Sequence, residues 1–236
     1  MKLLYEGKAK RIYEDTPQTV IMEFKDSLTA FNAQKLGSFS GKGSLNLRFA
    51  EKIFSELKSW GVDSHFVEVL DSQRVRVKKL QMLPVEVVVR NRVAGSLASR
   101  LGLPEGKTLS RPLVEFYLKN DKLGDPLITD EQVLVLGFLT SEQWNRCREI
   151  ALQVNQGLLA LFSRAGVDLA DFKIEIGQDP QGRFLLADEI TPDSCRLWDQ
   201  ATGEKLDKDV FRRDLGDVGA AYRKIAKRLG LEGEGT

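Results

Sequence analysis

The chain has 236 residues, enough to bury a real core in one domain or two, and its 35 Lys and Arg residues almost balance its 34 Asp and Glu residues, leaving a net charge of +1. This balance argues against a bulk electrostatic partner, so no nucleic acid or anionic membrane is expected. No apolar stretch approaches the ~20 residues of a membrane span, and the first apolar run is too short for a signal peptide.

Three residues with reactive side chains limit the possible chemistry further. The cysteines Cys147 and Cys195 match no metal-ligand spacing and suggest no disulfide framework, so we expect a reducing, cytoplasmic compartment. The single histidine, His65, has no second imidazole or cysteine pair near it in the sequence. We interpret it as a structural or surface residue and expect no Ser-His-Asp triad.

The first 80 residues are predicted to form short strands around one helix. Alternating apolar residues predict strands from Leu3 onwards, at Lys10–Tyr13 and Thr19–Phe24, and a hairpin of Phe66–Leu70 with Arg74–Lys79. A helix capped by Ser44 is predicted from an apolar stripe and ends at Gly61. Residues 26–43 are polar and glycine-containing, with no sustained period, and are predicted to be a long loop.

The segment Glu6–Lys10 (EGKAK) is a candidate phosphate-binding connection between the first two strands. A glycine in a tight connection lets the backbone approach a phosphate, and Lys8 and Lys10 supply positive charge. The segment is not a Walker A loop, which requires GxxxxGK[ST] before a helix. A plain hairpin turn with exposed lysines remains the alternative.

A second candidate anion site follows the run Pro84–Arg90 (PVEVVVR), whose β-branched residues predict a buried strand. The strand delivers Arg90 to its end, next to a short helix that ends near Gly102. Arginine at such a position suits bidentate recognition of phosphate or carboxylate. An arginine paired with a core acid is the alternative.

The middle and end of the chain are predicted to be more helical. Residues 103–138 contain too many prolines and glycines for their elements to be placed. Thr140 and Gln143 form a capping box for a long helix that Gly166 ends, with Cys147 on its apolar stripe. A last helical region runs from a cap at Asp207 to Gly230.

The segment Asp168–Trp198 carries the most chemistry in the sequence. Asp171–Ile176 alternates, so Lys173 and Glu175 share one face of a strand, and residues 183–190 form the returning strand of a hairpin. Because register is not fixed by sequence, either Asp188 or Glu189 shares that face. Carboxylates on paired strands lie roughly 5 Å apart at Cβ and repel unless a cation such as Mg²⁺ lies between them. An exposed hairpin with solvated charges is the alternative.

Eight segments together resemble the SAICAR synthetase family of de novo purine biosynthesis, in family order from about residue 3 to residue 230. They are EGKAKRIY (6–13), TAFN (29–32), GKG (41–43), VEVVVRNRVAGS (85–96), LKNDKLGDP (118–126), DFKIEIG (171–177), DEITPDSCRLWD (188–199) and DKDVFR (207–212). The resemblance implies a two-lobed α/β (α+β) fold, SAICAR synthetase-like or ATP-grasp-like. Residues 1–80 would form a β-rich ATP-binding lobe, and residues 81–236 a larger mixed lobe carrying the metal and nucleotide-substrate sites.

The resemblance also implies an activity: an ATP-dependent ligase that joins L-aspartate to the carboxylate of carboxylated aminoimidazole ribonucleotide (CAIR), giving SAICAR, ADP and phosphate with the help of Mg²⁺. A homodimer is what the family suggests, although a charged surface and a modest size permit a monomer equally well. The main alternative is a small-molecule kinase of a related fold. A nucleotide-binding regulator without turnover is a further alternative, but it predicts loss of the metal acids, and Glu175, Asp188 and Glu189 are all present.

Site residues follow from the resemblance position by position. The residues that would contact ATP are Gly7, Lys8, Lys10, Val77, Lys78, Leu80, Met82 and Lys119. Glu175 and Asp188 would bind Mg²⁺, and Lys173, Arg196 and Lys208 would act in catalysis. The residues that would line the substrate pocket are Asn32, Lys42, Arg90, Ser96, Asp171, Asp193, Arg196 and Arg212.

Cys195 departs from the family pattern, in which the residue before this arginine is usually small and hydroxylated. A thiol is a weaker hydrogen-bond donor than a hydroxyl. Arg196 next to it would lower the pKa of the thiol and make it oxidisable, whereas burial would oppose this. Structural indifference is the simpler expectation.

Overall fold

A computed structural model of the protein describes residues 1–30 and 34–231. In the first 78 residues the elements are β1 (Leu3–Glu6), β2 (Lys10–Glu14), β3 (Thr19–Phe24), β4 (Ser27–Ala30), β5 (Lys35–Ser38), α1 (Lys42–Ser59), β6 (Phe66–Val69) and β7 (Arg74–Lys78). Five of these strands pair antiparallel in the order β1-β2-β3-β7-β6. The strands predicted from alternation in this region are confirmed, although only β3 and β7 bury residues of one face, and β1 is exposed along its whole length.

The predicted loop over residues 26–43 is wrong. It contains the antiparallel pair β4–β5, in which Ser27 lies opposite Ser38, and only Leu28 and Ala30 of this pair are buried. Two buried apolar residues are too few to stand out as a period of two. The polar composition therefore hid a real hairpin.

The start of α1 also differs from the prediction. The helix begins at Lys42 and is preceded by Gly41 in a left-handed conformation, so Ser44 is not its cap. The carboxylate of Asp26 accepts hydrogen bonds from the backbone N–H groups of Gly41 (3.2 Å) and Gly43 (2.8 Å). A cap supplied from a distant residue cannot be recognised from local sequence.

This arrangement predicts a large loss of stability for one alanine substitution and almost none for its neighbour. A Cβ at Gly43 would lie 2.5 Å from the Phe24 carbonyl oxygen, so Gly43→Ala is expected to lower the free energy of unfolding by about 1–3 kcal/mol. Ser44→Ala is expected to change it by less than about 0.5 kcal/mol, because Ser44 caps nothing. Urea unfolding of both variants checks this; a loss near 1 kcal/mol in Ser44→Ala alone would contradict it.

The second sheet lies in the rest of the chain. The elements there are β8 (Gln81–Arg92), α2 (Gly95–Leu101), β9 (Thr108–Leu118), β10 (Leu127–Ile128), α3 (Asp130–Val135), α4 (Ser141–Arg164), β11 (Val167–Gln178), β12 (Phe184–Ala187), β13 (Cys195–Asp199), α5 (Asp209–Arg212) and α6 (Val218–Arg228). The strand order is β10-β9-β8-β11-β12, and β13 also pairs with β11. The long strands β8 and β11 therefore form the centre of this sheet.

Several predictions for this half are confirmed or sharpened. Thr140 and Gln143 form the predicted capping box, with mutual side-chain to backbone bonds of 3.2 and 2.9 Å. The last helical region is divided into α5 and α6, and the predicted cap at Asp207 is wrong: Lys208 precedes α5, and Asp217 caps α6. The returning strand β12 ends at Ala187, not at residue 190, because Asp188 adopts a left-handed backbone with φ 59°. Strand β9 was unpredicted; Pro112 lies where its register with β8 shifts.

One hydrophobic core joins both sheets and the long helices. Val87 on β8 and Ile174 on β11 are fully buried in the same cluster as Ile53 of α1 and Val154 of α4. Because side chains alternate along a strand, the other face of β8 and β11 carries polar residues. That polar face is where the candidate site lies. None of the helices in the described ranges is long and apolar enough to cross a membrane.

Candidate active site

The polar faces of β8 and β11 bring charged residues into register. Arg90 lies opposite Asp171, and Glu86 lies opposite Glu175. Lys173 lies on β11 midway between these two pairs, opposite Val88. Hydrophobic burial of the alternate residues therefore fixes which charges meet. The predicted strand face of Lys173 and Glu175 is confirmed.

A cavity of about 670 Å³ opens between this face and the first sheet. It is lined by every residue predicted to contact the nucleotide, namely Gly7, Lys8, Lys10, Val77, Lys78, Leu80, Met82 and Lys119. The connection between β1 and β2 forms one wall, with Gly7 N donating to the Lys10 carbonyl at 2.9 Å. The structure thus places Gly7, Lys8 and Lys10 together at the wall of the cavity.

Lysines and carboxylates alternate on the floor of the cavity. Lys173 Nζ lies 2.7 Å from Glu86, 3.3 Å from Glu175 and 3.9 Å from Asp188. Lys10 contacts Asp188 and lies 3.2 Å from Glu189, and Lys119 contacts Glu175. The alternative interpretation, an exposed hairpin with solvated charges, is therefore excluded for these acids.

The buried ion pairs set the protonation states of this cluster. Burial opposes ionisation of Asp188, but the ammonium groups of Lys10 and Lys173 outweigh it and hold the pKa of that carboxyl well below its usual range. Burial raises the pKa of Glu189, against the attraction of Lys10. The sequence left open whether Asp188 or Glu189 shares the face of Lys173. Of these two acids, Asp188 is the one that loses its proton more readily.

The acids also fit a divalent cation. Glu86, Glu175 and Asp188 already converge on one ammonium group, that of Lys173, so their oxygens face a common point. Within residues 1–30 and 34–231, no three His, Cys, Asp or Glu side chains are arranged as a metal cage. Mg²⁺ is usually held by only one or two carboxylates together with phosphates and water, so this donor set suits it.

His65 lies behind Asp188. Its imidazole is buried, packs edge-on against Phe54 at 5.7 Å between ring centres, and places Nε2 3.0 Å from the Asp188 carbonyl oxygen. Burial lowers the pKa of His65 to about 4, so the ring is neutral. The sole histidine is therefore internal, one of the two positions that the sequence allowed.

A second cavity of about 340 Å³ adjoins the first and shares five wall residues with it, namely Glu86, Asp125, Lys173, Asp193 and Ser194. It is lined by the predicted substrate residues Arg90, Ser96, Asp171, Arg196 and Arg212. The shared residues show that the two cavities form one continuous cleft.

Arg90 is almost completely buried in this cavity wall. Its Nε donates to Glu115 (2.6 Å), and its two amino groups donate to Asp171, Ser96 and Tyr117, each at 2.9 Å. An arginine paired with core acids, the alternative to a free anion-binding group, is therefore what the structure contains. Two of its partners, Ser96 and Tyr117, also line the second cavity.

Arg196 is the more accessible arginine. It donates to Asp171 (2.9 Å) and Asp209 (2.9 Å), which orient its guanidinium. Burial disfavours its charge, but these two carboxylates keep its pKa above the usual range. A Cβ at Gly95 would overlap the guanidinium, so glycine is required there for this close approach.

A third group of predicted residues surrounds Asp193. This carboxylate accepts from Lys42 (2.5 Å), Asn46 (2.7 Å) and Tyr222 (2.7 Å), and Lys208 lies 3.8 Å away. Among the residues that the structure describes, the buried oxygens Asn46 Oδ1 and Glu189 Oε2 have no hydrogen-bond partner. Buried oxygens of this kind suit a ligand that donates hydrogen bonds. The predicted Asn32 lies outside the described residues.

Sequence reasoning missed several contributors. Glu86 was visible as the single acid inside a β-branched run, but its contact with Lys173 was not foreseen. Tyr117 lies on the unpredicted strand β9. Cys195 is buried, and burial raises the pKa of its thiol well above the usual range, so the oxidisable thiol is not supported.

The fully buried Asp207 gives this region a pH dependence. Its oxygens accept from the backbone N–H groups of Leu197 and Asp209, both at 2.7 Å. Burial, reinforced by the charge of Asp209, raises the pKa of Asp207 to about 7 from its ordinary value of 3.8. Because the folded state binds the proton more tightly than the unfolded chain, this stabilisation is complete below pH 3.8 and is lost as the pH rises through 7.

We therefore expect the wild type to lose stability relative to Asp207→Asn as the pH rises from 4 to 7.5, by up to about 4 kcal/mol. The backbone hydrogen bonds that asparagine alters add an offset that does not depend on pH. Urea unfolding of both proteins across this range measures the difference. A difference that is constant with pH would contradict a raised pKa.

Comparison with known proteins agrees with this geometry. The sequence model of the SAICAR synthetase family matches residues 3–229. A phosphoribosylaminoimidazole-succinocarboxamide synthase from Nautilia profundicola is 54% identical over 231 residues, covering 97% of this chain and 98% of that protein.

Solved structures agree as well. The crystal structure of phosphoribosylaminoimidazole-succinocarboxamide synthase from Ehrlichia chaffeensis superposes with a TM-score of 0.95 at 39% identity, covering 99% of this chain and 100% of that one. A SAICAR synthetase in complex with ADP gives a TM-score of 0.95 at 46% identity, with both chains fully covered. The expected SAICAR synthetase-like α/β fold is confirmed by these neighbours. Matched over nearly its whole length in sequence and in structure, the chain belongs to the SAICAR synthetase family of ligases.

Proposed function

We propose that this chain uses ATP to join the amine of L-aspartate to the carboxylate of CAIR, with SAICAR, ADP and phosphate as products. The observation that carries the proposal is the continuous cleft: a cavity rich in lysines and acids opens, at Lys173, onto an arginine-lined one. A nucleotide in the first cavity and a phosphorylated substrate in the second would meet at this lysine. The family relatives carry the same activity in their names.

The nucleotide would occupy the larger cavity. Its phosphates would lie by Gly7, Lys8, Lys10 and Lys119, and its adenine by Val77, Lys78, Leu80 and Met82, all of which line this cavity. Mg²⁺, when bound by Glu175 and Asp188, would neutralise charge on the phosphates. Lys173 lies within 4 Å of both acids and lines both cavities.

The nucleotide substrate would occupy the smaller cavity. Arg196 and Ser96 would contact its phosphate, with Arg90 and Asp171 holding both in place. Arginine provides the planar donor pair that a phosphate needs. The substrate pocket would be completed by Lys42, Asp193, Lys208 and Arg212, and by Asn32.

The reaction does not need a nucleophilic side chain of the protein. A carboxylate is a poor electrophile, so a CAIR carboxylate oxygen first attacks the γ-phosphorus of ATP, and the bond from that phosphorus to ADP breaks. The aspartate amine then attacks the acyl carbon, phosphate leaves, and the amine loses a proton. Positioning and charge neutralisation are what such transfers need, and lysines and arginines supply both here.

The decisive assay is ADP release by the purified protein with ATP, Mg²⁺ and CAIR, with and without L-aspartate. We expect release only when both CAIR and aspartate are present. Release that ignores aspartate and follows a hydroxylated acceptor would identify a kinase instead and overturn the proposal. A separate experiment with ¹⁸O in the CAIR carboxylate tests the order of steps, because an acyl phosphate must pass one labelled oxygen to phosphate.

We extend the proposal to the setting of the reaction. Residues 1–80 would form the ATP-binding lobe and residues 81–236 the lobe that carries the metal and substrate sites, a division that follows the two sheets. Cys147 and Cys195 are both unpaired and buried, as suits a reducing cytoplasm.

A further inference from the structure

The segment Asp63–His65 ties the two sheets together beside the larger cavity. Leu186 of β12 donates to the Asp63 carbonyl (3.0 Å), and His65 N donates to the Leu186 carbonyl (2.8 Å). On its other side, the His65 carbonyl accepts from Lys78 N at the end of β7 (2.7 Å). The backbone of His65 is therefore fixed by both sheets.

Among the residues that the structure describes, the imidazole makes one hydrogen bond, to the backbone of a predicted metal acid. Nε2 lies 3.0 Å from the Asp188 carbonyl oxygen, and the ring is held edge-on to Phe54. Because a carbonyl can only accept a hydrogen bond, Nε2 must carry the proton and donate. His65 is thus a rigid donor aimed at one backbone group.

The backbone of Asp188 requires such support. Its φ of 59° lies in the left-handed region, which is disfavoured for residues other than glycine, although aspartate tolerates it better than most. This conformation ends β12 at Ala187 and coincides with a carboxylate turned to Lys10 and Lys173. Strained residues persist where the surroundings determine them, and they cluster at functional sites.

We propose that His65 is a positioning residue, which holds Asp188 in its left-handed conformation and thereby fixes the direction of the carboxylate in the cleft. The inference rests on the proposed function, in which Asp188 serves Mg²⁺ and the nucleotide. His65 itself lies in the wall of the larger cavity, in the segment that also borders Lys78.

The test is the effect of Mg²⁺ on ADP affinity, measured by titration calorimetry with MgCl₂ or with EDTA. Phenylalanine at position 65 keeps a flat ring but cannot donate, whereas glutamine places an amide nitrogen the same number of bonds from Cα as Nε2. We expect His65→Phe to reduce the Mg²⁺-dependent gain in affinity about five- to tenfold, the effect of one lost hydrogen bond, with the EDTA affinity unchanged. His65→Gln should stay within about threefold of the wild type.

Two controls separate positioning from packing and from failure of the metal assignment. Phe54→Leu removes the aromatic neighbour of His65 and should lower Tm without changing the Mg²⁺-dependent gain. Asp188→Asn should abolish that gain; if it does not, the metal assignment fails and the inference with it. If Asp188→Asn abolishes the gain and His65→Phe leaves it intact, only the role of His65 is overturned.

A purely structural role would also be visible. It predicts equal losses of ADP affinity with MgCl₂ and with EDTA, and no rescue by glutamine. Should His65→Phe fail to fold, His65→Asn takes its place, because its amide is one bond shorter than that of glutamine and cannot reach the carbonyl. Equal Mg²⁺-dependent gains in His65→Asn and His65→Gln would then overturn the proposal.

Discussion

Replacing Asp188 with asparagine is expected to lower the rate of SAICAR formation about 10²- to 10³-fold, the scale on which loss of one preorganised electrostatic contact slows an enzyme. Asparagine keeps the size of the side chain and tolerates the left-handed backbone that Asp188 adopts, so the change is confined to the charge. That charge is the anion to which Lys10 and Lys173 both turn. Steady-state rates of ADP release with CAIR and L-aspartate measure the effect.

Asp121→Asn is the matched control. Asp121 lines the same cavity and pairs with Lys8, but it is largely exposed, and screened pairs of this kind contribute little. We expect its activity within about threefold of the wild type, with circular dichroism unchanged in both variants. Similar losses in Asp121→Asn and Asp188→Asn would mean that the general charge of the cavity matters, rather than one carboxylate.

Replacing Arg90 with methionine is expected to affect both stability and substrate binding. The substitution leaves Glu115 and Asp171 buried with one fewer cation, and breaking a buried ion pair costs about 3–5 kcal/mol. Arg100 and Arg196 still contact these two acids, so we expect about 3 kcal/mol. Since Ser96 also loses its donor, KM for CAIR should rise while KM for ATP stays near its wild-type value.

Arg92→Met is the control for Arg90→Met. Arg92 lies two residues further along the same strand and pairs with Asp168 at 2.7 Å, but both side chains are partly exposed. Its removal is expected to cost less than about 1 kcal/mol. If Arg90→Met raised KM for CAIR without any loss of stability, Arg90 would be a direct ligand rather than a support for its neighbours.

The parts of the fold that the sequence predicts are those governed by local pattern. The alternation of Phe172, Ile174 and Ile176 identified β11 because these residues are all buried against α4 and its neighbours. The capping box at Thr140 is likewise a local signal. In contrast, the cap of α1 comes from Asp26, and β9 carries a proline at a register shift, so neither leaves a regular pattern.

The residues of the site also divide into those that the sequence predicts and those that depend on remote contacts. The face shared by Lys173 and Glu175 follows from period two, and the residues of the two cavities follow from the family resemblance. The partners that orient them do not, because they are remote in sequence: Asn46 bonds to Asp193 across 147 positions, and Arg90 to Asp171 across 81. The choice between Asp188 and Glu189 depends on their ion pairs, and Lys10, which contacts Asp188, lies 178 positions away in the sequence.

The alternation of lysines and acids on the cavity floor has a consequence for how the cleft accepts an anion. Lys10, Lys119 and Lys173 already hold the carboxylates of Asp188, Glu175 and Glu86 as internal counter-ions. A phosphate that enters must displace a carboxylate from an ammonium group, so its binding is an exchange of partners rather than the capture of an anion by bare positive charge. Affinity then reflects a difference between two sets of ion pairs and should vary less with ionic strength than in a cleft lined by unpaired lysines.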